Sequence, residues 1–405
     1  MEKLKILGIL PFNRLWYTKT GGTPTLYNLI KGFIDAGHEV HLVCLFDKEE
    51  DIFLKDLYVH RFKLPLNNFK SNIKVLNGIY SKILYFLFIL IATCKALKIT
   101  RKMKPDIIYG FAGSGAAAAY LVAKIRNIPN ITRLFGTFLY PFIQNHFQLL
   151  LRFDEVLAFK IPCEYLIITN DGTKGDEVAK QLGVSVEKLK FWFNGVDKLN
   201  PLSNEEIKKI KKKMNIKKSD FILLTVSRLV QWKRVDRTIK ALKEIIPKYN
   251  NIKLVIVGYG REIGKLKKLV EDLNLEDKIK FAGSIPYKDI NKFYSIADIF
   301  ISMYNISNVG NPLLEAMSFG LPIITLGVGG TEEIIIDKEN GILIPFSENE
   351  NEIIESLSRE VINLISNEPL RKKLGMNAKE FVNENFLTWE ERINMEIKEI
   401  NKLIR

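Results

Sequence analysis

Three side chains in the second half of this 405-residue sequence have the types and setting for phosphate chemistry. Arg228 and Lys233 follow an apolar run at 221–227, so they belong to a loop at the carboxyl end of a strand. Two cations fixed there can hold a diphosphate and offset the charge that builds on it when a bond to it breaks. They can equally be surface cations in a chain with 60 Lys plus Arg. Glu315 falls in the first turns of a helix announced by Gly310, Asn311 and Pro312, Asn being a good N-cap and Pro favoured at the first helical position. The N–H groups at a helix start suit a phosphate, and Gly310 lets a ligand approach the backbone closely. A carboxylate at Glu315 can accept two hydrogen bonds from a vicinal diol such as a ribose. It can also do no more than complement the helix dipole. A phosphate site beside a diol acceptor points to a nucleotide.

The elements that must position these groups follow from patterning. Leu313, Leu314, Ala316 and Met317 give the helix its apolar face, Gly320 ends it, 322–325 is a strand, and Gly329 and Gly330 open a turn before a helix expected from Thr331. Upstream, 5–10 reads as a strand, with Gly21 and Gly22 in the loop after it. Thr23 and Pro24 start a helix with its stripe at Leu26, Leu29, Ile30 and Phe33. Strands are expected at 39–46, 105–109, 130–134, 165–169 and 190–193, with helices at 113–123 and 178–182. After a polar, Lys-rich stretch the alternation restarts, with strands at 221–227, 252–257, 278–281, 298–302 and 342–344. Helices are expected from Asp236, as cap, to about 248, at 287–297, and through 348–405. This is an α/β chain of two doubly wound halves, with loops gathered at the strands' carboxyl ends and a site expected in the cleft between them. The expected boundaries are 1–197, 198–385 and a terminal helix, 386–405, that crosses back to the first half.

Other signals are weaker alone. Gly258 and Gly260, and Ser284 and Ile285, lie in turns at neighbouring strand ends; they leave a slot for a flat base, or are simple turns. The Gly329–Gly330 turn can donate N–H groups to sugar hydroxyls, with Glu332 and Glu333 as acidic caps of a helix in the plainer reading. Cys44, Cys94 and Cys163 form neither a disulfide framework nor a metal pattern, which fits a reducing compartment. The four His show no ligand spacing, and neither an Asp-x-Asp pair nor a P-loop occurs. The first ten residues run straight into a strand and do not read as a signal peptide. Net charge is +14, which suits phosphorylated substrates or anionic lipid, whereas no nucleic-acid motif is present. The Lys-rich 208–218 run reads as a solvated helix face. The apolar run 83–94 is too short to span a bilayer; a buried helix is the first reading and shallow membrane contact the second.

In this order the motifs GGTPTLYNLIKGFIDAGHEV (21–40), KPDIIY (104–109), NGVD (194–197), SRLVQWKRVDRTIKAL (227–242), VIVGYGRE (255–262), FAGSIPYKDINKFYSIADIFI (281–301), NPLLEAMSFGLPII (311–324), GGTEEII (329–335) and NGILIP (340–345) resemble glycosyltransferase family 4, retaining enzymes of the GT-B fold. The resemblance implies two facing Rossmann-like domains. It implies transfer of a sugar from a nucleotide-diphosphate donor to a glycan or lipid-linked acceptor, with configuration retained and no metal or other cofactor. By resemblance Arg228, Lys233 and Glu315 are the catalytic and diphosphate- and ribose-binding groups. Gly21, Gly22, Gly258, Gly260, Ser284, Ile285, Ser307, Gly310, Asn311, Pro312, Leu313, Gly330 and Glu333 line the donor, and Phe135, Gly136 and Thr137 stand on the acceptor side. Two positions depart from the pattern: Ser307 stands where the first Glu of Glu-x7-Glu is expected, and Phe135 where many members carry His. The expected setting is cytoplasmic, with attachment to the inner face of an anionic membrane as a further expectation. The alternatives are a non-catalytic relative that binds nucleotide sugars, a GT-B-fold epimerase or inverting transferase, and, last, nucleic-acid binding through charge.

Overall fold

A computed structural model describes residues 3–11, 24–46, 54–65, 74–197 and 201–404. Gly21, Gly22 and the expected cap Thr23 lie outside the described residues. Of the described residues, 3–11, 24–194 and 389–404 form one compact unit and 195–388 the other.

The first unit is a seven-stranded parallel sheet in the order β3-β2-β1-β4-β5-β6-β7. Its strands are β1 (Lys5–Ile9), β2 (Glu39–Leu45), β3 (Leu57–Phe62), β4 (Ile107–Phe111), β5 (Asn130–Leu134), β6 (Tyr165–Thr169) and β7 (Leu189–Trp192). Its helices are α1 (Pro24–Asp35), α2 (Lys74–Met103), α3 (Ala112–Arg126), α4 (His146–Leu151), α5 (Phe153–Lys160) and α6 (Gly175–Gln181). Period-2 alternation sends β1 side chains both ways. Ile6 packs with α1 residues Leu26, Leu29 and Phe33, whereas Leu7 and Ile9 pack with Phe88 and Ala92 of α2 and Ala118 and Val122 of α3.

The second unit is a six-stranded parallel sheet in the order β10-β9-β8-β11-β12-β13. Its strands are β8 (Phe221–Val226), β9 (Ile252–Val257), β10 (Ile279–Gly283), β11 (Ile299–Ser302), β12 (Ile323–Leu326) and β13 (Ile342–Ile344). The helices continue as α7 (Asn204–Lys213), α8 (Val235–Ile245), α9 (Ile263–Asp272), α10 (Asn291–Ile296), α11 (Asn311–Ser318), α12 (Glu350–Ser366) and α13 (Glu368–Asn385). The last helix, α14 (Trp389–Ile404), belongs to the first unit, where Trp389, Ile393, Ile397 and Ile400 join the α1 side of the core. Its polar side is clipped there: Tyr109 donates to Glu396 at 3.0 Å, and Arg392 pairs with Glu396.

Several elements differ from the sequence reading. The N-cap of α11 is Gly310, not Asn311, because the Gly310 carbonyl already accepts from Leu313 and Leu314. Gly310 is extended (φ −159), so its backbone does not itself require glycine. Asp236 does not cap α8; Arg234, left-handed at φ 45, stands at the cap, and the Asp236 carboxylate takes the Arg234 guanidinium instead. The helix expected over 287–297 is a 3-10 turn, Tyr287–Asp289, followed by the short α10, with Tyr287 tied by its hydroxyl to Asp197. No α-helix follows Thr331. Only a 3-10 turn, Thr331–Glu333, forms, because the Asn340 side chain takes the Ile334 carbonyl and the Ile336 N–H that a helix would need. The β-branched run Ile334–Ile336 also disfavours a helix. The apolar run at 83–94 is part of the 30-residue α2, and it is not simply buried: Ile83, Phe86 and Leu90 are exposed.

Candidate functional site

In a doubly wound sheet a ligand crevice opens where successive strands depart in opposite directions. In the second unit that point lies between β8 and β11, since β9 follows on one side of β8 and β11 lies on the other. The loops leaving these two strands carry Arg228 with Lys233, and the approach to α11.

The two loops are stitched together. Asn305 N–H donates to the Trp232 carbonyl at 2.9 Å, and the Tyr304 hydroxyl donates to the Val226 carbonyl at 3.0 Å. The Lys233 ammonium lies 4.0 Å from the Trp232 ring centre and 3.6 Å from that of Tyr304. Two aromatic faces thus hold the cation at a defined place. Arg228 is exposed on the same loop. Behind it, Arg234 and the buried Arg237 both bond the Glu350 carboxylate, and Arg237 also donates to the Met303 carbonyl. These two guanidinium groups hold Glu350 down to about 2 against its own desolvation. The clamp anchors both loops to the start of α12.

Glycines at the neighbouring strand ends serve this packing. A Cβ on Gly258 (φ +135) would meet the Ser227 carbonyl at 1.8 Å, and one on Gly260 would meet the Leu229 carbonyl at 2.2 Å. These two residues let the β9 loop close onto the Arg228 loop. Ser284 and Ile285 follow β10 and lead through Pro286 to Tyr287.

On the other side, Asn308 is buried and satisfied three ways. It accepts from Tyr304 N–H, donates to the Leu326 carbonyl, and its own N–H reaches Thr331 Oγ1. It therefore binds the β11 loop to the Gly329–Gly330 turn, in which Gly329 (φ +58) is left-handed. Gly330 is buried there while Glu333 is exposed. Ser307 is buried, and its hydroxyl accepts from Val309 N–H. Asn311 and Pro312 form the first turn of α11, and Leu313 turns into the core. Among the described residues, an added Cβ on Gly310 would have only Pro312 within 4 Å.

Glu315 is buried. Its Oε2 accepts from the Tyr294 hydroxyl at 2.7 Å. Burial pushes its carboxyl up to about 7, with the nearby Asp197 adding to the rise and the Tyr294 bond opposing it. Asp197 in turn accepts from Tyr287. The expected Arg228, Lys233, Ser307, Gly310 and Glu315 thus fall on two adjoining strand ends, joined by named bonds. Sequence reasoning missed Tyr294, Asn308, Glu350 and Arg237, which hold the others in place; only the Asn in Ser307–Asn311 offered a local signal, as a turn former.

In the first unit Phe135 stacks on Phe111 at 6.0 Å and lies under Arg133 at 5.7 Å, a packing role for the residue at the departing position. Gly136 is left-handed (φ +105), and a Cβ there would strike Asp171 at 2.1 Å. Thr137 N–H donates to Thr173, and Thr137 Oγ1 accepts from Leu139 N–H.

Comparison with known proteins gives two family matches on this chain. "Glycosyl transferases group 1" matches residues 206–381, and "Glycosyltransferase Family 4" matches residues 20–198. An uncharacterized glycosyltransferase of Methanocaldococcus jannaschii is 32% identical over 254 residues, 62% of this chain and 59% of that one. The matched part therefore spans a little over half of that relative. The N-acetyl-alpha-D-glucosaminyl L-malate synthase of Bacillus anthracis is 24% identical over 382 residues, 91% of each chain. Among solved structures, the Anabaena protein HepE in complex with UDP and glucose superposes with a TM-score of 0.76 at 20% identity, covering 98% of this chain and 99% of that one. The shared fold is GT-B.

Proposed function

The chain belongs to the group 1, family 4 glycosyltransferases, and from that footing we propose that it moves a sugar from a nucleoside-diphosphate donor to an acceptor hydroxyl with the anomeric configuration retained. One observation supports this reading: the loops leaving the adjoining strands β8 and β11 are bonded to each other, the first carrying Arg228 and Lys233 and the second leading to α11 with Glu315. Arg228 and Lys233 bind the diphosphate, and the first turn of α11 adds its dipole. As the bond from the anomeric carbon to the phosphate oxygen breaks, charge grows on that oxygen, and fixed cations stabilise it without reorganising. The acceptor oxygen bonds to the anomeric carbon on the same face, and its proton passes to the departing phosphate. The two cations do the neutralising here, so the reading calls for no metal. Glu315 holds a ribose hydroxyl through the oxygen that Tyr294 does not occupy. The complexes of HepE make UDP the first nucleotide to try. A glycan or lipid-linked hydroxyl is the acceptor class proposed.

The test is nucleotide release from a panel of nucleotide sugars, with and without acceptor. Arg228→Ala and Lys233→Ala are each expected to lose about 100-fold or more in turnover with melting temperature unchanged. Full activity in both rejects these roles. A second reading, nucleotide-sugar binding without turnover, draws on Ser307, whose hydroxyl serves a backbone N–H, and on the packed Phe135. It predicts saturable binding and no release from any donor.

A further inference from the structure

Helix α2 is apolar on two opposite faces. One face is in the core, where Phe88, Ala92 and Ala96 pack against Leu7, Ile9 and Val43, so the helix lies fixed along the sheet and is not a free span. The other face presents Leu76, Ile79, Ile83, Phe86 and Leu90 at alternating steps of three and four, from 43% exposed at Leu76 to 61% at Leu90. That stripe runs about 21 Å along the axis. It does not stop at the helix edge. Phe86 stacks on Phe153 at 6.1 Å, and Phe153 opens α5 directly after α4, where Phe147 is 66% and Leu150 68% exposed. Exposed apolar side chains on α2 and on nearby α4 mark an interaction site.

Charge identifies the occupant. Residues 74–103 contain six Lys and Arg and not one Asp or Glu, and Lys98, Arg101 and Lys102 are exposed on the last turns of the helix. Apolar side chains on one stretch and exposed cations on the next match an interface with acyl chains inside and anionic headgroups outside. A second copy of the chain fits less well. Pairing α2 with itself would set two acid-free basic helices side by side, and a two-helix seam would leave Phe147 and Leu150 uncovered. We propose that the face formed by α2 and α4 docks onto an anionic lipid surface. This stands on the geometry of the first unit alone and does not depend on the catalytic reading.

The experiment is flotation of the full-length chain with vesicles of phosphatidylcholine, with or without phosphatidylglycerol, at low and high salt. Binding is expected to the anionic vesicles, weakened but not abolished by salt. The Phe86→Asp/Leu90→Asp double variant, at exposed positions, is expected to lose at least tenfold in partitioning with its melting curve preserved. Val186→Asp, at a residue 83% exposed on the loop before β7, should bind as the parent does. No binding to anionic vesicles, or equal binding by the double variant, overturns the proposal. So does a concentration-dependent dimer that the double variant abolishes, since a second copy would then cover this face.

Discussion

Replacing Tyr294 by Phe removes a single hydroxyl and leaves the ring in the core beside Phe300 and Phe319. Among the described residues, that hydroxyl is the partner opposing the desolvation of Glu315, whose carboxyl already sits at about 7. A hydrogen bond to an ionised group contributes about 1.5–3 kcal/mol. At about 1.4 kcal/mol per pH unit, losing it moves the Glu315 midpoint upward by about one to two units. If a ribose hydroxyl is held by the carboxylate form, wild-type UDP affinity should rise as pH passes through about 7 and then level off. In Tyr294→Phe the same rise should come at about pH 8–9, which at neutral pH costs about 5- to 50-fold in affinity and is recovered in alkali. Quenching of tryptophan fluorescence reports the binding, since Trp232 borders Lys233. An affinity loss in Tyr294→Phe that is equal at every pH, or a wild-type profile flat from pH 5.5 to 9, refutes the assignment.

Four further outcomes follow from the same geometry. Glu315 ionises less readily folded (about 7) than in its ordinary state (4.5), so folding favours the protonated form and stability should fall as pH rises between those values. Glu315→Gln should flatten that slope in urea titrations at pH 4.5, 6 and 8. Asp197→Asn, which removes a neighbouring negative charge, should move the binding profile the opposite way from Tyr294→Phe. Glu350→Gln leaves the buried Arg237 without its carboxylate and should cost about 2 kcal/mol by denaturant melting, a figure reduced because Glu350 is partly exposed. Gly258→Ala combines a left-handed backbone with a 1.8 Å clash and should cost about 3 kcal/mol or more, lowering both melting temperature and nucleotide affinity.

The fold and the outline of the site were legible because both are written locally. An apolar run ending in Ser227–Arg228, or Gly310 to Pro312 ahead of an amphipathic helix, is a strand–turn–helix signal contained in a few residues. The supports of the site were not legible, because their partners are distant in sequence. Tyr294 meets Glu315 across 21 residues, and Glu350 meets Arg237 across 113. β3 was missed for a related reason: its Tyr58 and His60 stack on His41 of β2, so its stability lies in the neighbour rather than in its own pattern. The helix expected from Thr331 and the cap expected at Asp236 misled because each was read without the side chains that compete for the same groups, Asn340 and Arg234. In α2, an all-apolar run reads as buried. Only the packing reveals that Leu76, Ile79, Ile83, Phe86 and Leu90 stay exposed.

The most direct measurement is a calorimetric titration of the intact chain with UDP, GDP and ADP, beside the Arg228→Ala/Lys233→Ala and Glu315→Gln variants. Saturable heat with at least one nucleotide, weakened at least thirtyfold in the double variant and also reduced in Glu315→Gln, is the predicted result. No heat with any of the three, or undiminished affinity without the two cations, would contradict the account.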